Sequence, residues 1–288
     1  DKARGITITR PEFADPLFAV AVIPRTQADS AKMGTILTSL CQADPTLRWR
    51  QDPDVKQTIV EGMGEAHVNL AISRAERLGV GLDITLPKVP YKETITRTHA
   101  DFYRHKKQTG GAGQFADVSL RVEPLEPDPN REDPLEFVNE VVGGVISRGF
   151  MPAIEKGVRE AMAEGLLTGS PLSDVRVAVF DGKEHPVDSK EIAFKIAGKE
   201  AFKLAAQKAG IYLMEPIYTL EIVVPDQYAG DIMSDMSTRR GRVLGMLPAG
   251  GGRTTISVQA PLAEIQRYAT DLRAMTQARG RFAMRFSH

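Results

Sequence analysis

The amino-acid sequence predicts an α+β chain in three domains, with two β-α-β-β-α-β units on either side of a different central α+β region. Three observations carry this prediction. Apolar residues alternate between short strand-like runs and the i, i+3, i+4 spacing of helices. One order of elements occurs near both ends of the chain. A length of 288 residues suits two or three domains of roughly 100–150 residues.

The first unit opens with the apolar run 17–24, a buried strand closed by Pro24. Met33, Ile36, Leu37, Leu40 and Cys41 then form one helical stripe, with Asp29 or Ser30 as the expected N-cap. Strands are predicted near 47–51 and 57–61. A second helix presents Val68, Ala71, Ile72 and Ala75 and stops at Gly79, and a last strand covers 80–86. This is the ferredoxin-like split motif. Residues 217–288 repeat it, with strands at 217–224, 242–247, 254–259 and the 281–286 alternation. Helices are expected at 230–239 and over the stripe Leu262, Ile265, Ala269, Leu272 and Met275.

Between them, Pro87-Lys88-Val89-Pro90 reads as a linker. Strands are predicted near 93–98, 115–123 and 175–181. Segment 123–140 is Pro-rich and carries seven acidic residues against Arg131 alone, which predicts a solvated loop. A helix at 152–164 begins at Pro152 and ends at Gly165. Asp188 and Glu191 read as a capping box for a long helix to Lys208, with Phe194, Ala197, Ala201 and Leu204 inward.

Composition narrows function. The formal net charge is zero, so any RNA contact must come from local patches. No apolar run reaches the roughly 20 residues of a membrane span, and 1–10 has no apolar signal core. The single cysteine, Cys41, lies on a helix stripe and reads as packing. No G-x-x-x-x-G-K-[ST] run exists, and Gly198-Lys199 lies inside a helix whose amides are already paired. His99 and His105 lack a ligand set, His67 reads as structural, and no catalytic residue or metal site is expected.

Two loops and one patch suit RNA instead. Lys106, Lys107, Gln108, Thr109, Gly110, Gly111, Gly113 and Gln114 combine phosphate-neutralising cations, hydrogen-bonding amides and glycines that permit close backbone approach. The alternative is a flexible hairpin loop. His185, in the loop 182–187, is either a nucleotide contact or an ordinary surface histidine. Arg239, Arg240, Arg242 and Arg253 lie in a stretch from Met236 to Ala263 without any acidic residue. They suit phosphate, or simply a helix end.

These residues resemble elongation factor G. Tyr91-Lys92-Glu93-Thr94-Ile95 is similar to the opening of that family's fourth domain, and His105-Lys106-Lys107-Gln108-Thr109-Gly110-Gly111-Ala112-Gly113-Gln114-Phe115 to its tip loop. Met151-Pro152-Ala153-Ile154-Glu155-Lys156-Gly157, Asp188-Ser189-Lys190-Glu191-Ile192-Ala193-Phe194-Lys195, Leu213-Met214-Glu215-Pro216-Ile217 and Arg239-Arg240-Gly241 also match. So do Gly62-Met63-Gly64-Glu65-Ala66-His67 in the third domain and Tyr268-Ala269-Thr270-Asp271-Leu272-Arg273 in the fifth. Ala112 departs from a commonly basic position, and Pro186 follows the tip histidine where an acid is usual.

The resemblance implies a tail of a β-barrel domain at 1–10 and a ferredoxin-like third domain at 11–88. A fourth domain like domain 2 of ribosomal protein S5 follows at 89–211, and a ferredoxin-like fifth domain at 212–288. It implies a translational GTPase that promotes tRNA–mRNA translocation, with ribosome recycling, ribosomal protection or a free-standing RNA-binding module as alternatives. The glycine-rich loop and His185 would meet tRNA and mRNA in the decoding centre, and Arg239, Arg240 and Arg242 the ribosomal RNA of the large subunit. This chain would need no cofactor. GTP and magnesium would belong to an upstream GTPase domain, itself a partner of these domains in a cytoplasmic monomer without membrane contact.

Overall fold

Antiparallel pairing turns the first apolar run into the centre of a sheet. The computed structural model describes residues 13, 15–108, 113–126, 128, 131 and 133–287. Strand β1 (Phe18–Pro24) leads through helix α1 (Gln27–Ala43) to β2 (Arg48–Asp52) and β3 (Gln57–Gly62). Helix α2 (Glu65–Arg77) and β4 (Leu82–Thr85) complete the unit, with sheet order β2-β3-β1-β4. Val20, Val22 and Val60 face Leu37, Leu40, Val68 and Ile72 in one core. The α1 cap lies earlier than its apolar stripe suggests. Thr26 is the N-cap, accepting from Asp29 N at 3.1 Å, while the Asp29 carboxylate accepts from Thr26 N at 3.0 Å. Asp29 is thus the acidic arm of a capping box rather than the cap. Past α2, Gly79 takes φ +83°, the left-handed turn predicted there.

The central unit, Pro90–Glu215, contains β5 (Lys92–Ile95), β6 (His99–Lys107), β7 (Gln114–Pro124), β8 (Leu135–Asn139), α3 (Met151–Glu164), β9 (Val175–Lys183), α4 (Glu191–Ala209) and β10 (Ile211–Met214). Its four-stranded sheet runs β6-β7-β9-β8, and β5 pairs separately with β10. Val118, Leu120, Val177 and Val179 pack against Ile154, Val158, Phe194 and Phe202. Helices α3 and α4 touch backbone to backbone. A Cβ at Gly157 would collide with the carbonyl of Lys195, and one at Gly198 would lie 2.9 Å from that of Ile154.

The central unit corrects three expectations. The acidic segment is not one solvated loop. It begins in β7 and ends beyond β8, where Glu123 and Glu140 pair with Arg121 at 2.5 and 3.0 Å. Asp188 does not cap α4, whose N-cap is Lys190 without a side-chain bond. On α4, Leu204 is only partly buried, and Phe202 and Ala205 fill the core instead.

The second compact unit joins the residues up to Val89 with those from Pro216. Its later half contains β11 (Ile217–Pro225), α5 (Ala229–Thr238), β12 (Arg242–Pro248), β13 (Arg253–Pro261), α6 (Leu262–Ile265), α7 (Tyr268–Met275) and β14 (Arg281–Phe286). Sheet order β12-β13-β11-β14 reproduces that of the first sandwich. The single helix expected from Leu262 to Met275 is broken at Gln266 and Arg267, and Gln266 Nε2 donates to Pro87 O at 2.7 Å. Arg273 Nη2 also donates to Met63 O at 3.4 Å, so this broken helical segment meets the first sandwich at Met63 and the chain just after it at Pro87. Phe282 is 8% exposed and packs edge-on against Tyr268 at 5.3 Å. Its ring belongs to the core, unlike the exposed rings of an RNA-stacking sheet.

Candidate nucleic-acid interface

The register of three strands brings the two predicted loops to one end of the central unit. In the β6–β7 hairpin, His99 pairs with Val122, and the ladder ends at Lys107 and Gln114. Strand β9 runs antiparallel to β7 with Asp117 opposite Lys183, so the chain leaves β9 beside the end of that hairpin. Thr109, Gly110 and Gly111 lie outside the described residues. Gly113, Gln114 and the loop bearing His185 are described and in contact.

Hydrogen bonds join them. Gly113 N donates to Asp188 Oδ1 at 3.1 Å and Phe115 N to the main-chain oxygen of Asp188 at 3.0 Å. Ser189 Oγ donates to Phe115 O at 2.8 Å and accepts from His185 N at 2.8 Å. The Phe115 and His185 rings meet edge to face, 6.2 Å between centroids. Sequence reasoning missed Asp188 and Ser189 as members of this end, because an acid three residues before Glu191 mimics a helix cap.

The side chains sort into outward and inward sets. Lys106, Lys107, Gln108 and His185 are exposed. Gln114 is partly buried, with Oε1 3.0 Å from His105 Nε2. Gly113 is buried, and a Cβ there would lie 2.9 Å from the Asp188 carboxyl carbon, so its missing side chain makes room for Asp188. Behind the lysines, Arg104 is held by Asp117 at 2.7 Å. This leaves a cationic, hydrogen-bonding end that suits phosphate and sugar contacts.

The arginine patch divides in the same way. Arg239 donates to Asp235 at 2.8 Å, to Asp271 at 2.9 Å and to the Glu264 carbonyl at 2.9 Å, and lies 5.4 Å over the Tyr268 ring. Arg240 donates to Glu264 at 3.0 Å. Asp235 and Glu264 flank the acid-free stretch at its two ends, so a charge count inside the stretch misses them. Arg242 and Arg253 are exposed at the starts of β12 and β13. Among the described residues no group of three or more His, Cys, Asp or Glu could hold a metal ion. No helix among them is long and apolar enough to cross a membrane.

Family models place this geometry. The model for elongation factor G domain III matches residues 13–86, that for domain IV residues 87–210, and that for the elongation factor G C-terminus residues 212–288. The chain belongs to the elongation factor G family. The joined loops thus lie within the match to elongation factor G domain IV, and the arginine patch within the match to its C-terminus. Over 284 residues the chain is 43% identical to an elongation factor G-like protein of Thermotoga maritima, covering 98% of this chain and 41% of that one. A crystal structure of a Thermus thermophilus protein superposes with a TM-score of 0.82 at 36% identity, covering 100% of this chain and 44% of the other. The chain therefore spans less than half the length of each of these two relatives.

Proposed function

We propose that this chain is the ribosome-contacting portion of an elongation-factor-G-like translational GTPase that promotes tRNA–mRNA translocation. The joined end of β6–β7 and β9–α4 enters the decoding centre and touches tRNA and mRNA, and exposed Arg242 contacts large-subunit ribosomal RNA. One observation carries the reading: Lys106 and Lys107 at the end of β6 and His185 in the β9–α4 loop are exposed at one end of the unit, where Gly113 and Asp188 bond the two segments. Phosphate contacts orient such an end, and a rigid frame lets it act as a probe.

The sequence has no G-x-x-x-x-G-K-[ST] run, so GTP, magnesium and hydrolysis belong to a GTPase domain outside these residues. The protein acts as a cytoplasmic monomer. Binding of the purified chain to programmed bacterial ribosomes, compared with Lys106→Glu/Lys107→Glu, tests the reading. The doubly substituted chain binds more weakly, and equal affinity overturns the assignment of this end. Saturable GTP hydrolysis by the purified chain overturns the assignment of the motor elsewhere.

A further inference from the structure

We infer that Asp188 is the positioning residue of the central unit's tip, its carboxylate locking two loops into one surface from which His185, held by main-chain amides, presents an outward Nε2–H to RNA oxygen. The inference rests on the proposed RNA contact for its partner, but its geometry stands on separate observations.

The first is the direction of the Asp188 side chain. An aspartate just before a helix ordinarily turns toward the helix's own amides. Here α4 begins at Glu191 with no side-chain cap, and the Asp188 carboxylate reaches instead to Gly113 N, 75 residues away in sequence. The main-chain oxygen of the same residue holds Phe115 N. Ser189 adds a third cross-loop bond through Phe115 O. A residue larger than glycine at position 113 would meet the carboxyl group, so the approach depends on both partners.

The second is the state of the His185 ring. Its Nδ1 accepts from Val187 N at 3.3 Å and Asp188 N at 3.2 Å. A ring nitrogen that accepts carries no hydrogen, so the neutral ring is protonated at Nε2. Nδ1 also lies 3.5 Å from Asp188 Oδ2, which is an ion pair only when the ring is charged. Half of the side-chain surface is open, and among the described residues Nε2 has no hydrogen-bond partner. The tip therefore offers a fixed N–H donor at the same end as the exposed Lys106 and Lys107. A phosphate or 2′-hydroxyl oxygen is the acceptor that fits a donor at a cationic end.

The test compares Asp188→Ala with Asp188→Asn in the whole chain. Asparagine keeps an acceptor oxygen for Gly113 N, whereas alanine removes it. Amide exchange by NMR should show Gly113 opening about tenfold faster in Asp188→Ala and close to the parent rate in Asp188→Asn. Long-range 1H–15N spectra of neutral His185 should show a single Nε2–H form in the parent and in both variants, because the amides that hold Nδ1 are main chain. Ribosome affinity should follow the order of Gly113 exchange, with Asp188→Asn restoring it. Unchanged Gly113 exchange in Asp188→Ala overturns the inference, and an Nδ1–H form of neutral His185 in the parent overturns its ring assignment. So does full ribosome affinity in Asp188→Ala when Lys106→Glu/Lys107→Glu has lost it. If the lysine substitutions also leave affinity untouched, the RNA reading falls, and Gly113 exchange alone decides whether Asp188 joins the loops.

Discussion

Gly157 of α3 lies against the main-chain carbonyl of Lys195 in α4 so closely that a β-carbon has no place between them. The obstacle is backbone on both sides, which no rotamer change relieves. Gly157→Ala should therefore destabilise the central unit by about 3 kcal/mol, at the upper end of overpacking costs. Gly230, exposed in α5 with nothing within 4 Å of its would-be Cβ, is the control. Gly230→Ala should stabilise by about 0.5 kcal/mol through helix propensity. Urea unfolding of both variants measures the difference.

Glu93 supplies a second test. Its carboxylate is buried, yet it accepts from Leu166 N and Thr168 N at 2.7 Å and from Leu167 N at 3.0 Å. Burial alone would raise its pKa, but these amides outweigh burial and hold it below the ordinary glutamate value. A depressed folded-state pKa means stability that is fully present above the unfolded value and lost as pH falls through the folded one. Glu93→Gln should cost about 2 kcal/mol at neutral pH, because its amide nitrogen faces donors. The gap between parent and variant should shrink as acid protonates Glu93, and thermal melts down the acid limb report it.

Arg239 and Arg242 should separate structure from contact. Arg239→Ala strips partners from Asp235, Asp271 and the Glu264 carbonyl, and should destabilise by about 2–3 kcal/mol. Arg242→Ala, at an exposed strand start, should stay within about 0.5 kcal/mol of the parent. Denaturant midpoints decide this. Equal effects would remove the distinction drawn between the two arginines.

Salt dependence reads the tip directly. Each phosphate contact contributes a slope of roughly −0.7 to −0.9 in log affinity against log salt. Removing Lys106 or Lys107 singly should lower the slope of ribosome binding by about one, with little change in melting temperature. A neutral substitution, Lys→Gln, separates lost attraction from introduced repulsion.

The parts legible in the sequence are those where one face of an element is simply apolar. Val68, Ala71, Ile72 and Ala75 announce α2, and Ile154, Val158, Ala161 and Met162 announce α3. Strand β6 is hidden because its half-buried positions include His99, Asp101 and His105. Asp101 is met by Lys208 at 2.6 Å, a partner more than 100 residues distant. Strand β8 is hidden because only Leu135 is fully buried in a short strand within an acidic segment. At the tip, His185 and the lysines are visible by type, while Asp188 acts through a pairing that only the folded chain creates. Local spacing also misleads at Arg239, whose partners Asp235, Glu264 and Asp271 all lie outside the acid-free stretch 236–263.

The pairing of β5 with β10 has one more consequence. Lys92 stands opposite Met214 and Ile95 opposite Ile211, so the incoming and outgoing chain of the central unit run side by side. Neighbouring strands lie about 4.8 Å apart, and a short turn could span the gap left by deleting everything between them. Ile95 and Ile211 lie at the central core and Glu93 holds the amides of 166–168, so this two-stranded doorway is sealed to the unit it serves and not merely a hinge at its edge.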